Sequence, residues 1–158
     1  MAEKENNVNT DDKPGFQFII NMQYLKDLSF ESPKAPQSFR ALDPKKMEIK
    51  VDVDVKSQPL KDHSDDTYEV DLVIKAEMTV EKEVMFLIEG NYSGIFTLKN
   101  VPNDVLDKIL LIECPKFLFP FLRSILATNT RDGGFPPLMI TPIDFANASL
   151  WIEFNLLN

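Results

Sequence analysis

His63 and Cys114 are the only histidine and the only cysteine in this chain, so any Ser-His-Asp or Cys-His arrangement would have to be built on that one imidazole. His63 stands in an acidic loop, Asp62 to Asp66, where it reads as a solvated side chain. Cys114 lies between a predicted helix and Pro115, the setting of a small buried hydrophobe rather than of a thiolate nucleophile. One cysteine and one histidine fall short of a zinc ligand set. The glycine pair Gly133-Gly134 follows a helical stretch instead of preceding one, so it is no phosphate loop. The pairs Asp52/Asp54 and Glu81/Glu83 have no apolar neighbours that would raise a pKa, and read as a solvated face. These residues point away from catalysis, a metal or a nucleotide cofactor, and toward a protein that acts by binding.

The elements that carry them fit one domain, the expectation for 158 residues. The net charge of −8 argues against affinity for nucleic acid or an anionic membrane and favours basic partners. No run approaches the roughly 18 apolar residues of a membrane span, and Met1 to Lys13 is polar rather than a signal peptide, so the expected location is cytoplasmic, without membrane insertion. A single cysteine excludes an internal disulfide.

Residues 1–15 carry almost no apolar content and are expected to form a disordered polar tail, with a single domain over 16–158. In FQFIINMQYL, from Phe16, apolar residues at every second position predict a first strand. Lys26 to Lys46, with Pro33, Pro36 and Pro44, predicts a long extended crossover. MEIKVDVDVK, from Met47, alternates strictly and predicts a strand with one buried and one wet face, as does YEVDLVIKAEMTV from Tyr68. Glu81-Lys82-Glu83 predicts a tight hairpin into a fourth strand, VMFLIEGNYSGIFTL, where Gly90 and Gly94 suggest bulges or bends. From Val101 the period becomes helical: one helix to about Glu113, stopping at Cys114-Pro115, and a second over KFLFPFLRSILATNTR in which Pro120 either lies in the first turn or makes a kink. A last helix is expected over FANASLWIEFNLLN, capped by Asp144. Four strands followed by helices give an α+β domain, a four-stranded antiparallel sheet with helices on one face.

The fourth strand is the anomaly, since VMFLIEG directs Val84, Phe86 and Ile88 to one side and Met85 and Leu87 to the other. Helices on one side and a second subunit on the other would cover both. Apolar excess, including twelve Phe and a crossover with Leu28, Phe30, Phe39 and Leu42, marks partner or peptide binding.

KDLSFESPKAP (26–36), YEVDLVI (68–74), FLIE in the fourth strand, Ile95-Phe96, CPKFLFPFLR (114–123) and GFPPLMITPIDF (134–145) together resemble the SecB family over about residues 16 to 155. The resemblance implies a dimer of dimers with helices between two outer sheets. It implies a cytoplasmic export chaperone that holds unfolded precursor proteins and delivers them to the SecA translocase ATPase, with no cofactor and no metal. It places Asp27, Glu31, Leu87 and Glu89 on the SecA-binding surface, and Phe86, Ile88 and Gly90 at the tetramer interface. Carboxylates suit a basic partner tail. For the unfolded-peptide groove the candidates are Phe39 and Leu42 in the crossover and Phe117, Phe119 and Phe121 after Pro115.

Overall fold

A computed structural model describes residues 15–147 together with the backbone of 152–155; the expected polar tail falls, apart from Gly15, outside the described residues. Strict alternation produces long strands. β1 (Gln17–Glu31), β2 (Met47–Pro59), β3 (Thr67–Val80) and β4 (Glu83–Lys99) form an antiparallel sheet in the order β1-β4-β3-β2. β3 and β4 meet through Glu81 and Lys82, both left-handed at φ 50° and 68°, the backbone of a two-residue turn whose twist matches the strands it joins. β1 extends six residues into the stretch read from the sequence as crossover. Pairing with β4 supplies the partners that make Lys26 to Glu31 a strand, and the crossover shrinks to residues 32–46.

One face of the sheet is the core. Val70, Leu72, Ile74 and Ala76 of β3 are fully buried there, flanked by Val51 of β2 and Phe86, Ile88 and Phe96 of β4. Across it lies a continuous helical rod: α1 (Asn103–Lys108), one π-helical turn (Ile109–Glu113) and α2 (Cys114–Asp132). The expected break at Cys114-Pro115 is absent. Proline cannot donate to a carbonyl four residues back and its ring crowds that carbonyl; for Pro115 this is Leu111, inside the widened turn, which relieves the conflict without ending the rod. Pro120 lies inside α2, and the helix continues past it. Leu118, Leu122 and Leu126, one stripe at intervals of four, are fully buried against the sheet.

Gly90 and Gly94 serve that contact rather than making bulges. A Cβ on Gly90 would stand 2.7 Å from Leu122 Cδ1, and one on Gly94 would stand 3.0 Å from Leu118 Cδ2, so their absence lets α2 approach β4. The bulges are elsewhere: at Met85, opposite Met78 and Thr79, and twice in β1, where Asn21 and Lys26 are the extra residues. Met85, read from the sequence as facing away from Phe86, is turned by its bulge into the core and is 1% exposed.

After α2, Gly134 at φ +90° turns the chain back and Phe135, Leu138, Ile140 and Ile143 close the core. Thr130 pins this return, since its hydroxyl donates to the Leu126 carbonyl and accepts from the Leu138 N–H, both at 2.9 Å. The predicted last helix is replaced, where described, by a short 3-10 turn at Phe145–Asn147 and by β5 (Ile152–Asn155), which pairs with β2 as a fifth strand at that edge. An open sheet edge offers backbone partners that an isolated helix would not need. The rest of that predicted helix lies outside the described residues.

Candidate partner-binding surfaces

The sheet face opposite α2 is polar, and the register lays it out in rows. Glu31, Leu87, Glu77 and Lys50 are successive cross-strand neighbours on β1, β4, β3 and β2; next come Ser29, Glu89, Lys75 and Asp52, then Asp27, Asn91, Val73 and Asp54. Asp27, Glu31, Leu87 and Glu89, named from the sequence as one surface, therefore lie together on one face, Asp27 and Glu31 exposed and Leu87 and Glu89 half-buried. Asp27 and Glu31 are four residues apart in an uninterrupted stretch beyond the β1 bulge at Lys26, so alternation keeps them on one face, and the bulge lets Tyr24, on its other side, share that face.

Lys26 itself reaches across β4 to β3, where its Nζ lies 2.9 Å from Glu69 and 3.5 Å from Asp71. Glu69, 8% exposed, also accepts hydrogen bonds from the Tyr24 hydroxyl and from Gln58 Nε2 at 2.8 Å. Ser93 Oγ, fully buried, donates to Asp71 at 2.5 Å. Burial alone would raise the Glu69 pKa, but the three hydrogen bonds outweigh it and hold the carboxyl below the usual carboxylate range. The bond to Glu69 raises Lys26, and burial followed by the same carboxylate raises Tyr24. This network stitches four strands together and covers the second face of β4 near Ser93, beyond the stretch from Val84 to Gly90, with the chain's own Tyr24 and Lys26. Sequence reasoning missed it. Glu69 and Asp71 were visible at alternating positions, but only the register reveals that Lys26 stands opposite them.

The five groove candidates do not converge. Phe39 packs on Phe135 with ring centroids 5.1 Å apart, beside half-buried Leu42, at the end of the sheet where Phe135 also meets Phe30 and Phe86. Phe117 sits at the other end, 5.4 Å from Phe18, and Phe121 stacks on Tyr92 at 5.7 Å. Both α2 rings are about half exposed, at 47% and 49%. Phe119 points the other way, is buried against Phe145 and carries Arg123 over its ring, so it belongs to the core. A segment touching Phe39, Leu42, Phe121 and Phe117 would have to run the length of the helix.

Phe86 and Ile88 are each 1% exposed within the protomer, and Gly90 is filled by Leu122 and Leu126. Any influence they have on assembly passes through the helix they carry. Exposed apolar side chains occur at and just before the edge strand, where Phe16, Ile19, Met22 and Leu25 are 43% to 56% exposed, as well as on α2 at Phe117 and Phe121. His63 is exposed and Cys114 is buried, with burial pushing the thiol up to about 12, far from a thiolate at neutral pH. Among the described residues no cluster of three or more metal-ligating side chains occurs, and no helix is long and apolar enough to cross a membrane.

Comparison with known proteins places this arrangement. Residues 9–152 match the family model of the preprotein translocase subunit SecB. The protein-export protein SecB of Parvibaculum lavamentivorans is 52% identical over 130 residues, 82% of this chain and 74% of that protein. Its counterpart in Granulibacter bethesdensis is 45% identical over 157 residues, 95% of this chain and 89% of that one. In fold, the chain resembles a SecB-like chaperone of Mycobacterium tuberculosis solved with a peptide from the HigA1 antitoxin, at a TM-score of 0.59 over 80% of this chain and 90% of that one, with 13% identity. A sheet backed by one long helix, a family model matched over most of the chain and relatives matched over most of their length lead to one conclusion: this chain belongs to the SecB family of protein-export chaperones.

Proposed function

We propose that this protein is an ATP-independent holdase that binds unfolded precursor proteins in the cytoplasm, keeps them competent for export and delivers them to the SecA translocase ATPase. The observation that carries this reading is the separation of two surfaces on one small domain. Asp27, Glu31, Leu87 and Glu89 share the face opposite the helix, which suits a basic SecA segment through charge complementarity. The exposed rings of Phe39, Phe117 and Phe121 lie along the helix side, which suits apolar segments of an unfolded chain. The working form is a homotetramer, a dimer of dimers, a reading supported by the exposed apolar side chains of β1 and α2. Phe86, Ile88 and Gly90 contribute to it by holding α2 in place. No cofactor, metal, nucleic acid or membrane insertion enters the mechanism.

Without a chemical step, the protein acts by mass action: binding lowers the concentration of free unfolded chain and slows refolding without changing the folded end state. The test is dilution of a denatured, slow-folding precursor into buffer with and without a molar equivalent of tetramer, with and without ATP. Refolding should slow equally in both nucleotide conditions. Unchanged refolding removes the holdase reading, and release that requires ATP removes its ATP independence.

A further inference from the structure

We propose that Glu77 is an additional carboxylate of the outer face, and that with Glu31 it fixes the pattern a basic partner segment must carry: two cations three residues apart with an apolar residue between them. This deepens the proposed SecA-facing surface and rests on that reading.

Glu77 pairs with Leu87 across β3 and β4, and Leu87 pairs with Glu31 across β4 and β1. Neighbouring strands are about 4.8 Å apart, so the two carboxylates flank half-buried Leu87 at a separation of roughly 10 Å. A segment in the polyproline II form has three residues per turn and rises about 3.1 Å per residue, so one crossing the strands along this row would bring residues i and i+3, on the same side of the segment and about 9 Å apart, to Glu31 and Glu77, with the residues between them passing Leu87.

The other outer-face acids are less able to offer this second anchor. Glu69 and Asp71 are held by Lys26 at 2.9 and 3.5 Å, and Asp54 lies 3.7 Å from Lys56. In the adjacent row exposed Lys75 stands between Glu89 and Asp52 and repels a cationic segment that would cross there. Glu77, by contrast, takes part in no ion pair among the described residues. Its far neighbour Lys50 is paired with it in register, and beyond Lys50 the row reaches Glu153 on β5. The outer face is thus selective as well as acidic: one row is apolar at its centre and anionic on both sides.

The test uses the full-length protein and two short labelled peptides, one containing Lys-Leu-Ala-Lys and one with the second lysine moved next to the leucine. Wild type should prefer the first. Glu77→Gln should weaken that binding about threefold to fivefold and remove the preference, while Lys50→Gln should strengthen it about twofold, and both effects should fade at high salt. These changes have opposite sign, so general misfolding cannot produce both. If Glu31→Gln weakens binding and Glu77→Gln does not, the role of Glu77 is overturned and the outer-face reading stands. If Asp27→Asn and Glu31→Gln leave binding of the SecA tail unchanged, the outer-face reading itself falls. Failure of wild type to distinguish the two peptides overturns the proposed spacing.

Discussion

Removing the Glu69 carboxylate should destabilise the protein from the face that carries no helix. Glu69 is 8% exposed and accepts from Tyr24, Lys26 and Gln58, so Glu69→Ala leaves three donors on two strands, β1 and β2, to find other partners. A hydrogen bond to a charged group contributes about 1.5 to 3 kcal/mol where water is excluded. The Lys26 side chain is 40% exposed, and its share is reduced by screening. Gln58 is exposed and resolvates, which leaves half-buried Tyr24 as the main orphan, for a total of about 2 to 3 kcal/mol. Glu69→Gln keeps an acceptor in place and should cost about 1 kcal/mol. The assay is urea unfolding at fixed protein concentration, because assembly would otherwise enter the measured stability. The pH dependence supplies a second check. The folded Glu69 pKa lies below its unfolded value, so ionised Glu69 contributes stability above the unfolded carboxylate range and loses it as the pH falls through the folded value. Wild type and Glu69→Gln should therefore converge as the medium is acidified. A Glu69→Ala variant within about 0.5 kcal/mol of wild type, or a gap to Glu69→Gln that widens on acidification, would refute the account of the network as the stabiliser of this face.

Leu122→Ala, which empties a fully buried position under α2, should cost about 2 to 5 kcal/mol in the same assay, with the lower figure if the helix settles toward Gly90. Phe39→Asp or Leu42→Asp should reduce capture of an unfolded client, measured by refolding kinetics, while SecA-tail binding survives, because the crossover and the outer face are separate surfaces; loss of both activities together would argue against that separation. Reversing the charge at Asp27, Glu31 or Glu89 should slow association with SecA and flatten its salt dependence without changing the sedimentation of the assembly.

Much of the fold was legible in the chain itself. The period-two alternation of Met47 to Val55 and of Tyr68 to Val80 is a local property, fixed by side chains that point alternately to the two faces of a strand. It predicted β2 and β3 without knowledge of their partners. The change to helical period after Val101 and the tight turn at Glu81 were local in the same sense. So were the motifs that carry the family resemblance, which named Asp27, Glu31, Leu87 and Glu89 as one surface. What a single strand cannot reveal is which residue stands across from it. The extension of β1 to Glu31, the extra residues Asn21 and Lys26, the turning of Met85 into the core and the pairing of β5 with β2 all depend on register with strands distant in sequence. The same holds for the Lys26, Glu69 and Tyr24 network, and for the separation of Phe39 from Phe117 by the length of α2. Side-chain period is a property of a segment; register and helix approach are properties of a pair of segments, and only the folded sheet supplies the second member.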